Sequence, residues 1–251
     1  MKRVVLVTGG NSGIGLGLVK YLIDKDYEVV TVSRSEDSIK RAKKELGKLS
    51  NKILFLQGDV SNIADCEKIY SIIDEKYKRL DGLVNSAGIT TSGGIEEESI
   101  DDWNKTLNTN LTGIFIITKT LLPLLKKKGE NPAVVNISSI SSIRVGSSIS
   151  YCVSKAGVDM LTHYLGKELG KYNIRVNAIN PGEVYSNLNI VNGRYTKEEY
   201  DEKMKQRAKT YPLGKIGDPF QDLAPTIEFL LSDKSLWTTG ATYVIDGGKS
   251  L

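Results

Sequence analysis

Short apolar runs alternate with amphipathic stretches along the whole chain, and no other feature narrows its possible folds so much. Runs rich in Val, Ile and Leu at 4–8, 28–33, 52–57, 82–85, 133–138, 175–180 and 242–245 read as strands. Most are apolar on both faces, as strands covered on both sides must be. Helical periodicity fills 13–25, 36–49, 63–77, 100–127, 150–171 and 221–231. Repeated strand–helix units predict an α/β fold, a doubly wound Rossmann-type parallel sheet of about seven strands flanked by helices. No linker, repeat or low-complexity tract divides the 251 residues, which read as a single domain. Pro123, late in the fourth helical stretch, is expected to kink or end it. The alternation lapses once, from Asn187 to Tyr211, where a polar insertion with a short helix at 197–209 reads as a substrate lid.

Composition excludes several function classes. The 34 basic and 30 acidic residues leave a net charge of +4. That is too mild and dispersed for a nucleic-acid surface, although it suits an anionic cofactor. Trp103, Trp237 and the tyrosines form no stacking series of the kind single strands need. Cys66 and Cys152 imply no disulfide framework. His163 is the sole histidine, so a histidine-centred triad or multi-histidine metal site has no material, and no metal is expected. No h-region precedes 4–7, and the greasiest stretch, 113–125, is interrupted by Thr118, Lys119, Thr120 and Pro123. Neither a signal peptide nor a membrane span is expected, and the location reads as cytoplasmic.

The first strand runs into Thr8-Gly9-Gly10-Asn11-Ser12-Gly13-Ile14-Gly15. Gly9, Gly13 and Gly15 clear side chains from a sharp turn, and the helix that follows aims its N–H groups and positive dipole end at a pyrophosphate. The spacing G-x-x-x-G-x-G is slightly longer than the G-x-G-x-x-G fingerprint. At the tip of the second strand a carboxylate would accept the ribose hydroxyls of NAD, whereas an arginine suits the 2′-phosphate of NADP. Ser33-Arg34 stands there, with a hydroxyl donor and a charge-assisted partner for phosphate, so NADP(H) is expected over NAD(H). Asp59-Val60, after the third strand, offers a carboxylate to an adenine amino group. Asn85-Ser86-Ala87-Gly88, after the fourth, offers small residues beside a ribose; either segment is equally ordinary turn chemistry.

Tyr-x-x-x-Lys occurs three times, as Tyr21/Lys25, Tyr151/Lys155 and Tyr211/Lys215. The third encloses Pro212 and Gly214, and the first reads as a solvated pair on the first helix. In the middle pair the lysine falls one helical turn after the tyrosine, on the same face. At about 4 Å in partly screened surroundings its charge contributes on the order of 4 kcal/mol, enough to bring a phenol from near 10 toward neutral pH. Tyr151 is then an acid–base for carbonyl reduction, and Lys155 has a second use in holding ribose hydroxyls.

Taken together these segments resemble the short-chain dehydrogenase/reductase family, of the type about 250 residues long. The resemblance runs through Thr8–Gly15, Asp59-Val60, Asn85–Gly88, Asn110-Leu111, Asn136–Ser139, Tyr151/Lys155, Asn180-Pro181-Gly182, Pro212-Leu213-Gly214 and Asp246-Gly247-Gly248. It implies a seven-stranded parallel sheet, an NAD(P)(H) cofactor and assembly as a homodimer or homotetramer. It makes Asn110 the asparagine that positions a relay water behind the lysine. It lays Pro181, Gly182, Val184 and Ser186 against the nicotinamide. Where the family usually has a second asparagine, this chain has Ser86. The catalytic serine falls at Ser139 by its place in Asn-Ile-Ser-Ser and at Ser138 by its spacing from Tyr151. Ser139 is preferred, because a loop absorbs a one-residue deletion more cheaply than a strand absorbs a slip that reverses its faces.

Three functions compete. The leading one is an NADP(H)-dependent oxidoreductase moving hydride between the nicotinamide and a small carbonyl or secondary-alcohol substrate. A reductase of acyl groups on a carrier protein would use a basic docking patch, for which Lys197, Lys203, Lys205, Arg207 and Lys209 are candidates diluted by Glu198, Glu199, Asp201 and Glu202. A silent dinucleotide sensor would tend to have lost the tyrosine or lysine that this chain keeps.

Overall fold

A computed structural model describes residues 2–127, 131–186, 190 and 195–251. Its strands are β1 (Val4–Thr8), β2 (Glu28–Ser33), β3 (Ile53–Gln57), β4 (Gly82–Asn85), β5 (Ala133–Ile137), β6 (Arg175–Pro181) and β7 (Thr242–Ile245). They form one parallel sheet in the order β3-β2-β1-β4-β5-β6-β7. Around it lie α1 (Gly13–Asp24), α2 (Glu36–Leu46), α3 (Ile63–Tyr77), α4 (Ile100–Leu107), α5 (Gly113–Lys126), α6 (Ile149–Leu169), α7 (Lys197–Ala208) and α8 (Ala224–Leu231).

The pleat sends alternate residues of each strand to opposite layers. Val5 and Val7 join Leu18, Leu22, Ile227 and Leu230 on the α1/α8 side. Val4 and Leu6 join Ile69, Ile73, Ile117 and Leu121 on the α3/α5 side. Both layers are apolar, which is why the strands lack a polar face. A buried polar seam crosses the sheet near its C-terminal edge. Asn85 donates to Asn136 at 2.8 Å, and Asn136 donates to Thr162 of α6 at 2.9 Å.

Three helical stretches differ from expectation, one of them 221–231, where a π turn at Pro219–Leu223 precedes α8. The helix expected over 100–127 is α4, a π turn at Asn108–Thr112 and then α5, with the Gly113 N–H bonded back to the Asn108 carbonyl. Pro123 neither ends nor breaks α5, which runs on to Lys126. It lies on the exposed side, where water can take the carbonyl it orphans. The stretch expected over 36–49 stops being α-helical at Leu46, because Gly47 turns away at φ +54°.

Strands β1 and β4 are neighbours in the sheet, with β2 and β3 on one side and β5 to β7 on the other. The order in which successive strands are laid down therefore reverses between them, and the loops after β1 and β4 part to leave a crevice at the carboxyl edge.

Candidate active site

The turn after β1 is built around close backbone approach. Gly9 has φ +67°, and a Cβ there would lie 2.9 Å from Ala87 Cα. A Cβ on Gly15 would lie 2.5 Å from the Gly9 carbonyl oxygen. Gly13, at φ +50°, faces the Ser186 hydroxyl instead. Helices α2, α3, α4, α6 and α7 are each capped by a side chain, of Ser35, Asn62, Ser99, Ser148 and Thr196 respectively, that accepts a first-turn backbone N–H. At α1 the Ser12 side chain makes no such bond and no acidic residue sits in the first turn. The N–H groups at the start of Gly13-Ile14-Gly15 are left for another acceptor. Beside them Asn11 is buried, with its Oδ1 accepting from Thr31 and its Nδ2 unpartnered. An uncapped helix start and an orphaned buried donor suit a dinucleotide pyrophosphate. Ile14 packs on the core cluster below.

At the tip of β2, Ser33 shares a 2.7 Å hydroxyl contact with Ser38 of α2. Arg34 lies 3.6 Å from Asp59 Oδ2, and Asp59 Oδ1 accepts from the Ser61 N–H and hydroxyl. The expected phosphate-binding cation and adenine-binding carboxylate are thus paired with each other. Val60 is turned into the core against Gly113, so its side chain gives the crevice nothing.

Beyond β4, the Asn85 Nδ2 is spent on Asn136 and Thr118 inside the molecule, while its Oδ1 is buried without a partner. The N–H groups of Ser86 and Ala87 bond the Thr8 hydroxyl, tying the two loops of the crevice together. Asn110, in the π turn, is fully buried. Its amide accepts from the Ile89 N–H at 2.8 Å and donates to the Ile89 carbonyl at 2.9 Å and to Ser154 at 3.2 Å. It staples the β4 loop to α6, and its amide group is satisfied without water. A Cβ on Gly88 would meet Asn110 Oδ1 at 3.4 Å and Lys155 Nζ at 3.9 Å, so all three share one corner.

Tyr151 and Lys155 occupy successive turns of α6, whose first turn is capped by Ser148. The Tyr151 phenol is pushed up from 10.0 by burial, while a hydrogen bond with Ser139 pulls the other way. Ser138 faces inward and donates to the Lys155 carbonyl at 3.2 Å. Of the two serines, only Ser139 meets the tyrosine. The lysine corrects one expectation. Its ammonium donates to the Ile137 carbonyl at 2.7 Å and lies 5.5 Å from the centre of the Tyr151 ring. It sits over the ring, and the phenol is held above its ordinary value, not below it. Burial brings Lys155 itself down to about 8, opposed by the Asp159 carboxylate.

Pro181 ends β6, and Gly182 puts its N–H on the Ile245 carbonyl, where a Cβ would lie 3.0 Å from Asp246 Cα. Val184 bridges to Gly217, and Ser186 faces the glycine turn. These residues close the far wall of the crevice. Of the segment expected as a lid, 187–189 and 191–194 lie outside the described residues. The remainder carries α7, which is clamped to the wall: Tyr185 donates to Asp201 at 2.6 Å, Arg207 pairs with Glu183, and Tyr200 packs against the Tyr185 ring.

Two groups escaped sequence reasoning. The Glu98 carboxylate accepts from the Thr91 hydroxyl and from the Ser150 hydroxyl and N–H, fastening the loop after β4 to the start of α6. No local pattern announces it. The other is Asp159, whose signal was available: it repeats the four-residue step from Tyr151 to Lys155.

The short chain dehydrogenase family matches residues 3–194. An NADP-dependent (R)-specific alcohol dehydrogenase of Lentilactobacillus kefiri is 34% identical over 98% of this chain and 96% of its own. A 3-oxoacyl-[acyl-carrier-protein] reductase of Thermotoga maritima is 34% identical over 98% of this chain and 97% of its own. Among solved structures, ElxO with NADP bound superposes with a TM-score of 0.87 at 32% identity, covering 99% of each chain. The chain belongs to the short-chain dehydrogenase family of oxidoreductases.

Proposed function

We propose that this protein is an NADP(H)-dependent oxidoreductase that interconverts a carbonyl compound and its secondary alcohol, with Tyr151 as general acid–base. The observation that carries the reading is the meeting of Tyr151 with Ser139, above a buried Lys155 and beside Asn110, at the crevice of the uncapped α1 turn. The NADP-dependent alcohol dehydrogenase among the relatives and NADP-bound ElxO support the cofactor assignment.

Gly9, Asn11, Ser12, Gly13, Ile14 and Gly15 would hold the pyrophosphate, and Ser33 and Arg34 the 2′-phosphate. Asp59 would face the adenine, with the main chains of Asn85 and Val60, and Ala87 and Gly88, along the adenosine. Lys155 would hold the second ribose, with Pro181, Gly182, Val184 and Ser186 behind the nicotinamide. Bound there, the nicotinamide supplies or accepts a hydride. The Ser139 hydroxyl donates to the substrate oxygen as charge grows on it. The Tyr151 phenol, which carries its proton at neutral pH, delivers it to that oxygen. Asn110 holds the β4 loop against α6 so that this corner keeps its shape.

The carrier-protein reading gains from the Thermotoga maritima relative but loses part of its docking patch. Arg207 is spent on Glu183, and Lys203 on Tyr195. Among the described residues no helix is long and apolar enough to cross a membrane, and the proposal includes a cytoplasmic location. It also includes a homodimer or homotetramer. The test is oxidation of NADPH, in parallel with NADH, against a panel of simple ketones, keto esters and sugars. Turnover with NADPH ahead of NADH is expected. A strong NADH preference overturns the role of Arg34, and no turnover with either cofactor overturns the enzyme.

A further inference from the structure

The face of α6 that carries Tyr151 and Lys155 continues into Asp159, one turn further on. Its Oδ2 accepts from Asn180 Nδ2 at 2.8 Å, and its Oδ1 is buried with no partner. Asn180 is 1% exposed, near the end of β6. The same Nδ2 reaches the Ser142 hydroxyl at 2.8 Å and the Ser139 carbonyl at 3.3 Å, and the Ser142 hydroxyl donates to that carbonyl at 2.8 Å. One carboxylate therefore stands at the end of a chain of partly buried contacts that finishes at the Ser139 carbonyl.

We infer that Asp159 is a positioning residue for the proposed reaction, holding the Lys155 ammonium in its charged form and, through Asn180, fixing the short turn that presents Ser139. A half-buried carboxylate with one oxygen shut away from water and unpartnered is costly to keep unless its charge serves a neighbour. The neighbour available is Lys155, buried beside β5 with the Ile137 carbonyl as its recorded hydrogen-bond partner. The groups facing Lys155 from other elements are neutral: Asn110 from the π turn, the Ile137 carbonyl from β5, Ser138 just beyond it, and the backbone at Gly88. On α6 itself the titratable groups one turn to either side of Lys155 are Tyr151 and Asp159, and the Asp159 carboxylate is the charge that favours the ammonium. His163, the next step along α6, is engaged with the Gly240 carbonyl. Asn180 draws the carboxylate toward β6, so one residue couples the lysine to the serine turn.

This inference rests on the proposed function and is tested by a readout that needs no substrate. NADPH binding to the whole protein is followed by cofactor fluorescence from pH 6 to pH 10, with a thermal melt at each pH. In the unmodified protein, affinity should weaken as Lys155 loses its proton above about pH 8. Asp159→Asn keeps an oxygen acceptor for Asn180 and removes only the charge. The weakening should then begin on the order of one pH unit lower, since loss of a nearby anion favours the neutral amine. Asp159→Glu, which restores the charge, should return the midpoint toward the original. Superimposed curves for the Asn variant and the unmodified protein overturn the inference and leave the proposed function standing. Failure of the unmodified protein to bind NADPH or NADH at any pH overturns both. Should the Asn variant not fold, Asn180→Leu decides the matter: it keeps the carboxylate, so its midpoint must not fall, and a fall overturns the inference.

Discussion

Burial governs both central side chains, and in opposite senses. It raises the Tyr151 phenol because the phenolate is poorly solvated, and it lowers Lys155 to about 8 because the ammonium is. A raised phenol still carries its proton at neutral pH but parts with it less readily than a free one, and the Ser139 hydrogen bond opposes that penalty. Tyr151→Phe should retain NADPH binding and lose turnover by about a thousandfold or more, as removal of a proton donor does. Near-normal rates in that variant would take the phenol out of the reaction. For Lys155 the linkage runs as a cost. Its folded value lies below 10.5, so the unfolded chain binds more protons between about pH 8 and pH 10.5, and stability from this group rises with pH across that window. Lys155→Met removes that cost while giving up the Ile137 hydrogen bond. At pH 7 its Tm should exceed that of the unmodified protein by a few degrees, on the order of 1–2 kcal/mol, while activity is lost. By pH 10.5 the advantage should have disappeared. The identity of the pair was legible in the four-residue spacing of Tyr151 and Lys155. Their acidities were not, because solvent exclusion comes from β5 and the β4 loop, which no local pattern brings there.

The start of α1 shows an element whose form anticipates a ligand. The other α-helices that begin afresh satisfy their first N–H groups with a cap side chain, whereas α1 leaves them open over a glycine turn. Gly15 is required by packing within the turn, since a Cβ would collide with the Gly9 carbonyl. Gly15→Ala should therefore destabilise the protein even without cofactor, by about 1–3 kcal/mol, in the range for overpacking a tight contact. Thermal melts of the cofactor-free protein check this, and an unchanged Tm would show that the turn can open. The serine question also belongs at this scale. Strand β5 ends at Ile137, and the next two residues point to opposite sides, so Ser138 meets α6 backbone and Ser139 meets Tyr151. Motif position and spacing disagree by one residue, and strand alternation decides between the two serines only once the strand's end is known.

On the outside of the molecule, Val153, Met160 and Tyr164 form an exposed stripe along α6, and Phe115 is exposed on α5. Large apolar side chains repeating at helical spacing on an open face suit a partner helix better than water. The face is expected to pair two copies of the chain. Met160→Asp should shift the mass measured by size-exclusion chromatography with light scattering toward the monomer while preserving the far-ultraviolet circular dichroism. A monomeric unmodified protein would rule out this assembly. Sequence alone determined the layered sheet, since the alternation of doubly apolar runs with amphipathic helices admits few other burial schemes, and it placed the glycine turn and the Tyr151/Lys155 pair on their elements. Tertiary structure alone decided that Arg34 leans on Asp59, that the Asn85 Nδ2 and the Asn110 amide are spent inside the fold, and that Asp159 is bonded to Asn180. Local spacing sets which face of a helix or strand a side chain occupies, whereas its partners and its solvation are set by residues that the parallel sheet brings in from far along the chain.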